Sequence, residues 1–155
     1  MRTSSIPIVF VIGSDPVTFG IVASLNLPGG NITGMTLSGS ETVAKRLGLM
    51  LELAPAAAVI AVLANPKNPI SESQLTELRA AARKLDRQLL VLNASTESDF
   101  AAVSTDLDQH NVDALFVAAD PFFDDRRKQI VSLAARHRIP ACYTRREILW
   151  WMADY

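Results

Sequence analysis

The chain has 155 residues, 49% of them hydrophobic and 20% charged, with a formal net charge of −1. That length supports a domain with a proper core, and the balanced charge excludes a global basic field that would draw the chain to nucleic acid. The hydrophobic share excludes intrinsic disorder, and a single cysteine, Cys142, excludes an internal disulfide framework. No apolar run reaches the ~18 residues of a membrane-spanning helix. No secretion signal is visible before the first strand-like run, and both chain ends are abrupt, so the chain is expected to be a piece of something longer.

Ile6 to Ile12 is a continuous β-branched and aromatic run, which predicts a strand buried on both faces. It breaks at Gly13-Ser14-Asp15-Pro16, a turn and helix-start signal, and a short helix is expected over Val17 to Leu25. Leu27-Pro28-Gly29-Gly30-Asn31 is the strongest turn signal in the chain, and a short strand, Ile32 to Leu37, follows it. Val43, Leu47, Met50 and Leu51 fall at helical spacing and predict a helix from Glu41 to Leu53, ended by Pro55. Ala54-Pro55 marks an internal boundary on this reading, and beyond it strands and helices alternate strictly.

Strand 58–64 precedes a helix over Ser71 to Leu85, with Ser71 and Gln74 placed as a capping box. Strand 88–92 leads to a helix over Glu97 to Asp108, capped by Ser95 or Thr96. Strand 113–119 leads to a helix over Asp124 to His137, acidic at its start and basic at its end. Strand 139–143 and a helical segment over 145–153 close the pattern. Such alternation predicts an α/β fold with a doubly wound parallel sheet.

Three of these strands end on a single polar residue, Asn65, Asn93 and Asp120, at intervals of 28 and 27 residues. A parallel sheet gathers its strand ends along one edge, and open α/β sheets bind ligands just outside that edge. Each residue also precedes a helix start, where amide dipoles help to hold polar groups. The competing reading of each alone is local turn or capping chemistry. It is the one kept for Asn93, while most weight falls on Asn65 and Asp120. Phe122 and Tyr143 fall where the crevice is expected and offer rings to an apolar ligand; Arg145 or Arg146, at a strand end, offers a partner for a carboxylate.

Catalytic signatures are missing from the sequence. No Walker-type phosphate loop, G-x-G-x-x-G or G-x-S-x-G occurs. His110 and His137 have no ligand-spaced partners, and Cys142 lies inside a predicted strand, so no metal, cofactor or nucleophile chemistry is expected. The polar edge looks built for holding a ligand.

Ile6-Pro7-Ile8-Val9-Phe10, Ser14-Asp15-Pro16-Val17 and Ser24-Leu25-Asn26-Leu27-Pro28-Gly29-Gly30-Asn31-Ile32-Thr33-Gly34 resemble the ABC transporter substrate-binding proteins of the tryptophan/tyrosine uptake type. Ala44-Lys45-Arg46-Leu47, Val62-Leu63-Ala64-Asn65-Pro66-Lys67-Asn68-Pro69, Ala119-Asp120-Pro121-Phe122-Phe123 and Arg136-His137-Arg138-Ile139-Pro140 agree with it. The resemblance covers nearly the whole chain. It implies the two-lobed, type I periplasmic binding protein fold, with Rossmann-like lobes and a ligand closed between them by a hinge. On that implication residues 1–37 are a remnant of the first lobe with a hinge strand, residues 38–155 are the second α/β lobe, and the first lobe is largely missing.

Carried over by position, the ligand-binding candidates are Asp15 on the first lobe and Asn65, Asn68, Ser71, Asp120 and Tyr143 on the second. The expected function is the solute-binding part of an ABC-type uptake transporter, holding an aromatic or apolar amino acid in an interlobe cleft, without catalysis or cofactor. The expected partners are that solute and, through the full-length protein, a membrane permease, outside the cytoplasmic membrane; no nucleic acid is expected. A homodimer through the exposed lobe surface, swapping residues 1–37, is a further expectation. The alternative is a ligand-sensing domain of a signalling or regulatory protein with the same fold.

Overall fold

The computed structural model describes residues 6–12, 15–36 and 40–144. Contacts divide the chain into two units, Met1–Thr42 and Val43–Tyr155.

In the first unit, strands β1 (Ile8–Ile12) and β2 (Ile32–Thr36) pair in parallel, Ile8 opposite Ile32 and Ile12 opposite Thr36. The burial expected for β1 is not met: Val9 is 76% and Val11 65% exposed. Its one strand partner among the described residues is β2, so the β-branched run satisfies its backbone on one side only. Gly34 lies opposite Phe10, where any Cβ would run into the Phe10 carbonyl and ring. The helix expected over Val17 to Leu25 does not form. Phe19 N–H donates to the Asp15 carbonyl and Ile21 N–H to that of Pro16, giving a turn that ends at Gly20, whose φ of +64° leaves the right-handed region.

The second unit takes in α1 (Ser40–Leu53) from Val43 onward, then β3 (Val59–Ala64), α2 (Ser71–Lys84), β4 (Gln88–Asn93), α3 (Asp99–Gln109), β5 (Ala114–Val117), α4 (Pro121–Asp125), α5 (Arg127–His137) and β6 (Ala141–Cys142). Its four strands are parallel in the order β4-β3-β5-β6. Period-two alternation along the central strands sorts the core into two layers. Ile60, Val62, Ala114 and Phe116 pack with Val43, Leu47 and Met50 of α1 and with Leu75 and Leu78 of α2. Ala61, Leu63, Leu115 and Val117 pack with Phe100, Val103 and Leu107 of α3 and with Ile130 and Leu133 of α5. Leu47, Ile60, Leu63, Leu115 and Phe116 are wholly buried, each contributing about 2 kcal/mol of transfer free energy. The α/β doubly wound fold expected from the alternation is therefore present.

Several boundaries differ from the sequence pattern. Helix α1 shares one apolar cluster with Ala57 and β3, so Ala54-Pro55 lies within a unit. The helix expected over Asp124 to His137 is two helices, because Asp120 caps a start at Pro121 and Arg126 interrupts the run with φ −99° and ψ 16°. Strand 139–143 shortens to Ala141–Cys142. The segment 145–153, with Arg145 and Arg146, lies outside the described residues.

The strand order fixes where a ligand crevice belongs. From β3 the chain crosses through α2 to β4 on one side, and from β5 it crosses through α4 and α5 to β6 on the other. Connections leave in opposite directions from the adjacent strands β3 and β5, which is the topological switch point of an open parallel sheet. The polar residues that follow those two strands are Asn65 and Asp120.

Candidate ligand site at the carboxyl edge of the sheet

Asn65 and Asp120 are joined across the switch point: the Asn65 Nδ2 donates to Asp120 Oδ2 at 3.1 Å. The Asn68 amide, from the loop before α2, donates to the same oxygen at 2.7 Å and to the Ala119 carbonyl at 3.3 Å. Asp120 Oδ1 accepts from Phe122 N–H at 2.7 Å and so caps α4. Asn65 and Asp120 are 9% and 5% exposed. A carboxylate this buried is tolerable only when its lone pairs are taken up, and three N–H groups do that here.

Ser71 does not act as a helix cap. Ile70 occupies the N-cap position of α2 without a side-chain cap, and the Ser71 hydroxyl donates to the Asn65 carbonyl at 2.6 Å. Gln74, the other half of the expected capping box, is also diverted. Its amide clasps Ala119 from both sides, accepting from the backbone N–H at 2.8 Å and donating to the carbonyl at 3.1 Å. Both residues are buried, and both serve the strand-end edge.

Asn65 Oδ1 accepts from Lys67 N–H and from the Ser95 hydroxyl, each at 3.0 Å, which ties in the loop after β4. Asn93, the last residue of edge strand β4, is exposed. In the loop after β4 the capping relation runs backwards from expectation. The Asp99 carboxylate accepts from Ser95 N–H at 2.8 Å and Thr96 N–H at 2.9 Å, and those bonds hold its pKa below the ordinary carboxylate value.

Tyr143 follows β6 and packs against the α3–α5 layer. Its hydroxyl is buried without a hydrogen-bond partner, and burial pushes its pKa up to about 12. Phe122 lies parallel to Phe100, centroids 5.9 Å apart, which commits one ring face to the protein. Asp15, in the other unit, is exposed. Its carboxylate accepts from Val17 N–H at 3.0 Å and the Thr18 hydroxyl at 2.8 Å, and these bonds lower its pKa.

Two arrangements were not visible in the sequence. Arg46 of α1 donates from Nη2 to the Val117 carbonyl at 2.8 Å, with its guanidinium 4.3 Å from the centre of the Phe116 ring. His137 is buried between Ser104 and Asp108: Nε2 lies 2.9 Å from the Ser104 hydroxyl and Nδ1 2.8 Å from the Asp108 carboxylate. That order of groups is the order of a hydrolytic triad. Ser104 sits in mid-α3, however, where backbone amides are committed to the helix ladder rather than to an oxyanion. The chain of bonds is a tie between α3 and α5. A groove of about 460 Å³ beside it, lined by Phe100, Ser104, Leu133 and Arg136, includes none of the six candidate residues.

The family model for ABC transporter substrate binding proteins matches residues 1–148. The tyrosine-binding protein of Clostridioides difficile (strain R20291) is 30% identical over 138 residues, covering 89% of this chain and 39% of that protein. An ABC domain in complex with L-Trp from Streptococcus pneumonia superposes with a TM-score of 0.80 at 22% identity, over 96% of this chain and 50% of that one, a likeness of fold. A ligand-free, open substrate-binding protein with adhesive properties from Clostridium difficile superposes with a TM-score of 0.67 at 28% identity, over 90% and 46%. The chain thus spans half or less of the length of each of these proteins. It belongs to the family of ABC transporter substrate-binding proteins.

Proposed function

We propose that this chain carries the solute-holding edge of an uptake system and takes an amino acid with an aromatic side chain. The observation that carries the reading is the buried polar network at the switch point between β3 and β5, where open α/β sheets hold ligands. On this reading Asn65 and Tyr143 meet the ligand, Asn65 through its second amide hydrogen and Tyr143 through its unpaired hydroxyl. Asp120, Asn68 and Ser71 hold Asn65 in place. The relative that binds tyrosine and the fold neighbour that holds L-Trp support an aromatic solute.

In the whole protein the partner is an ABC permease, and the site of action lies outside the cytoplasmic membrane. Among the described residues no helix is long and apolar enough to cross a membrane. Exposed Val9, Val11, Leu27 and Met35 support self-association of the isolated chain, which light scattering tests; a clean monomer refutes it. The solute reading is tested by calorimetric titration of the chain with L-tyrosine, L-tryptophan and L-leucine. Saturable binding of the aromatic pair is expected. Heat of dilution alone for all three overturns the reading.

A further inference from the structure

Among the described residues no carboxylate pairs with Arg46. Its side chain is largely withdrawn from water, and burial lowers its pKa. Its Nε is buried without a hydrogen-bond partner, and no carboxylate lies within ion-pair distance of it among the described residues. Removing a guanidinium from water without a carboxylate partner is costly, and the contacts present are one carbonyl, one ring face and the Cys142 side chain, which also bonds the Arg46 carbonyl. Asp120 makes no ion pair with Arg46; its two oxygens accept from Asn65, Asn68 and Phe122.

The position of this charge matters as much as its isolation. Arg46 anchors on the carbonyl of Val117, the last residue of β5, and Gln74 clasps Ala119 two residues on. Asn68 reaches Ala119 and Asp120 from the same loop edge. The segment 117–120 therefore gathers Arg46, Gln74, Asn68 and Asn65 at the carboxyl end of β5, beside the switch point. A guanidinium presents a fork of donors that matches a carboxylate, and one fixed by a ring and a carbonyl loses little freedom on binding.

We infer that Arg46 is the carboxylate-recognising residue of the site, so that the solute class is one bearing a carboxylate. This rests on the reading of a solute site at the β3–β5 edge. It makes the negative group of the solute, rather than its amine, the determinant of affinity.

The test titrates the unaltered chain, Arg46→Met and Arg46→Lys with three probes: L-tryptophan, indole-3-propionate, which keeps the carboxylate without the amine, and tryptamine, which keeps the amine alone. The unaltered chain should bind L-tryptophan and indole-3-propionate, with tryptamine at least about tenfold weaker. Arg46→Met should lose about 30-fold or more for both carboxylates and nothing for tryptamine, and Arg46→Lys should fall between. Equal affinity of the unaltered chain for tryptamine and L-tryptophan overturns the inference. So does an Arg46→Met chain, folded by circular dichroism, that binds L-tryptophan within about threefold of the unaltered one. If Arg46→Met does not fold, the probe comparison on the unaltered chain and the affinities of Arg46→Lys decide the matter. Binding of none of the three probes by the unaltered chain refutes the solute site itself, and this inference with it.

Discussion

Replacing Asp120 by alanine removes the acceptor on which the strand-end edge converges. Phe122 N–H loses its cap at the start of α4, worth about 1 kcal/mol. The Nδ2 groups of Asn65 and Asn68 lose a shared charged acceptor at 3.1 and 2.7 Å. Stranding a buried donor costs about 1–3 kcal/mol, and the low end applies to each because water enters the space the carboxylate leaves. The sum is about 3 kcal/mol, a large share of a typical stability of about 5–15 kcal/mol. For a chain of this size that lowers Tm by about 10 °C. Urea denaturation followed by far-UV circular dichroism measures it. Asp120→Asn is the control: it keeps the volume and one capping oxygen but turns an amide toward two amide donors, and should cost about 2 kcal/mol. In a double-mutant cycle Asp120→Ala and Asn68→Ala should couple by about 1 kcal/mol, because the second change removes a donor the first has stranded. A loss below about 1 kcal/mol for Asp120→Ala refutes the reasoning, since it would mean that the network does not hold the edge.

Gln74→Leu preserves bulk but frees the Ala119 N–H and carbonyl, and should cost about 2 kcal/mol in the same assay. Asp113 accepts from Ala58 N–H and Val59 N–H at 2.9 Å each, which lowers its pKa. Its stabilisation is present above the ordinary carboxylate pKa of about 4 and is lost as pH falls through the lower folded value; Asp113→Asn should remove about 1 kcal/mol at neutral pH and flatten the acid limb of the stability curve. Tyr143, with its pKa raised to about 12, favours the neutral phenol in the fold, so stability is full below about pH 10 and falls as pH rises from there to 12. The chain has 2 tyrosines, and ultraviolet titration of a Tyr155→Phe variant should place the Tyr143 midpoint near pH 12; a midpoint near pH 10 in the folded chain refutes its burial.

Hydrophobic periodicity made the second unit legible because helices cover both faces of β3 and β5, so these strands read as continuous apolar runs with only Val59 partly exposed. The same signal misled at Ile6 to Ile12, where the run is equally β-branched but β1 has one strand partner among the described residues. A run of that kind reports fitness for a pleated strand, not what covers it. Asn65 and Asp120 were legible because strand ends and sheet topology are both written in the local pattern. Ser71 and Gln74 were found for the wrong reason: a capping box is a local motif, whereas their partners, Asn65 and Ala119, are set by the tertiary fold. Arg46 and His137 carried no local signal. Val117 and Phe116 lie about seventy residues beyond Arg46, and Ser104 lies on a different helix from His137, so only the folded sheet brings them together.

The hydrogen bonds within the edge also bear on the kind of site proposed there. Asp120 and Asn68 have every oxygen and amide nitrogen engaged by the protein, so they shape the edge more than they offer it. An edge whose acceptors are spent is selective for what its remaining donors match. On the proposed reading those donors are one amide hydrogen of Asn65, the buried hydroxyl of Tyr143 and the guanidinium of Arg46. Held by their neighbours before any ligand arrives, they lose little conformational entropy on binding. On the proposed reading, donors held this way favour the anionic group of a solute over its ammonium.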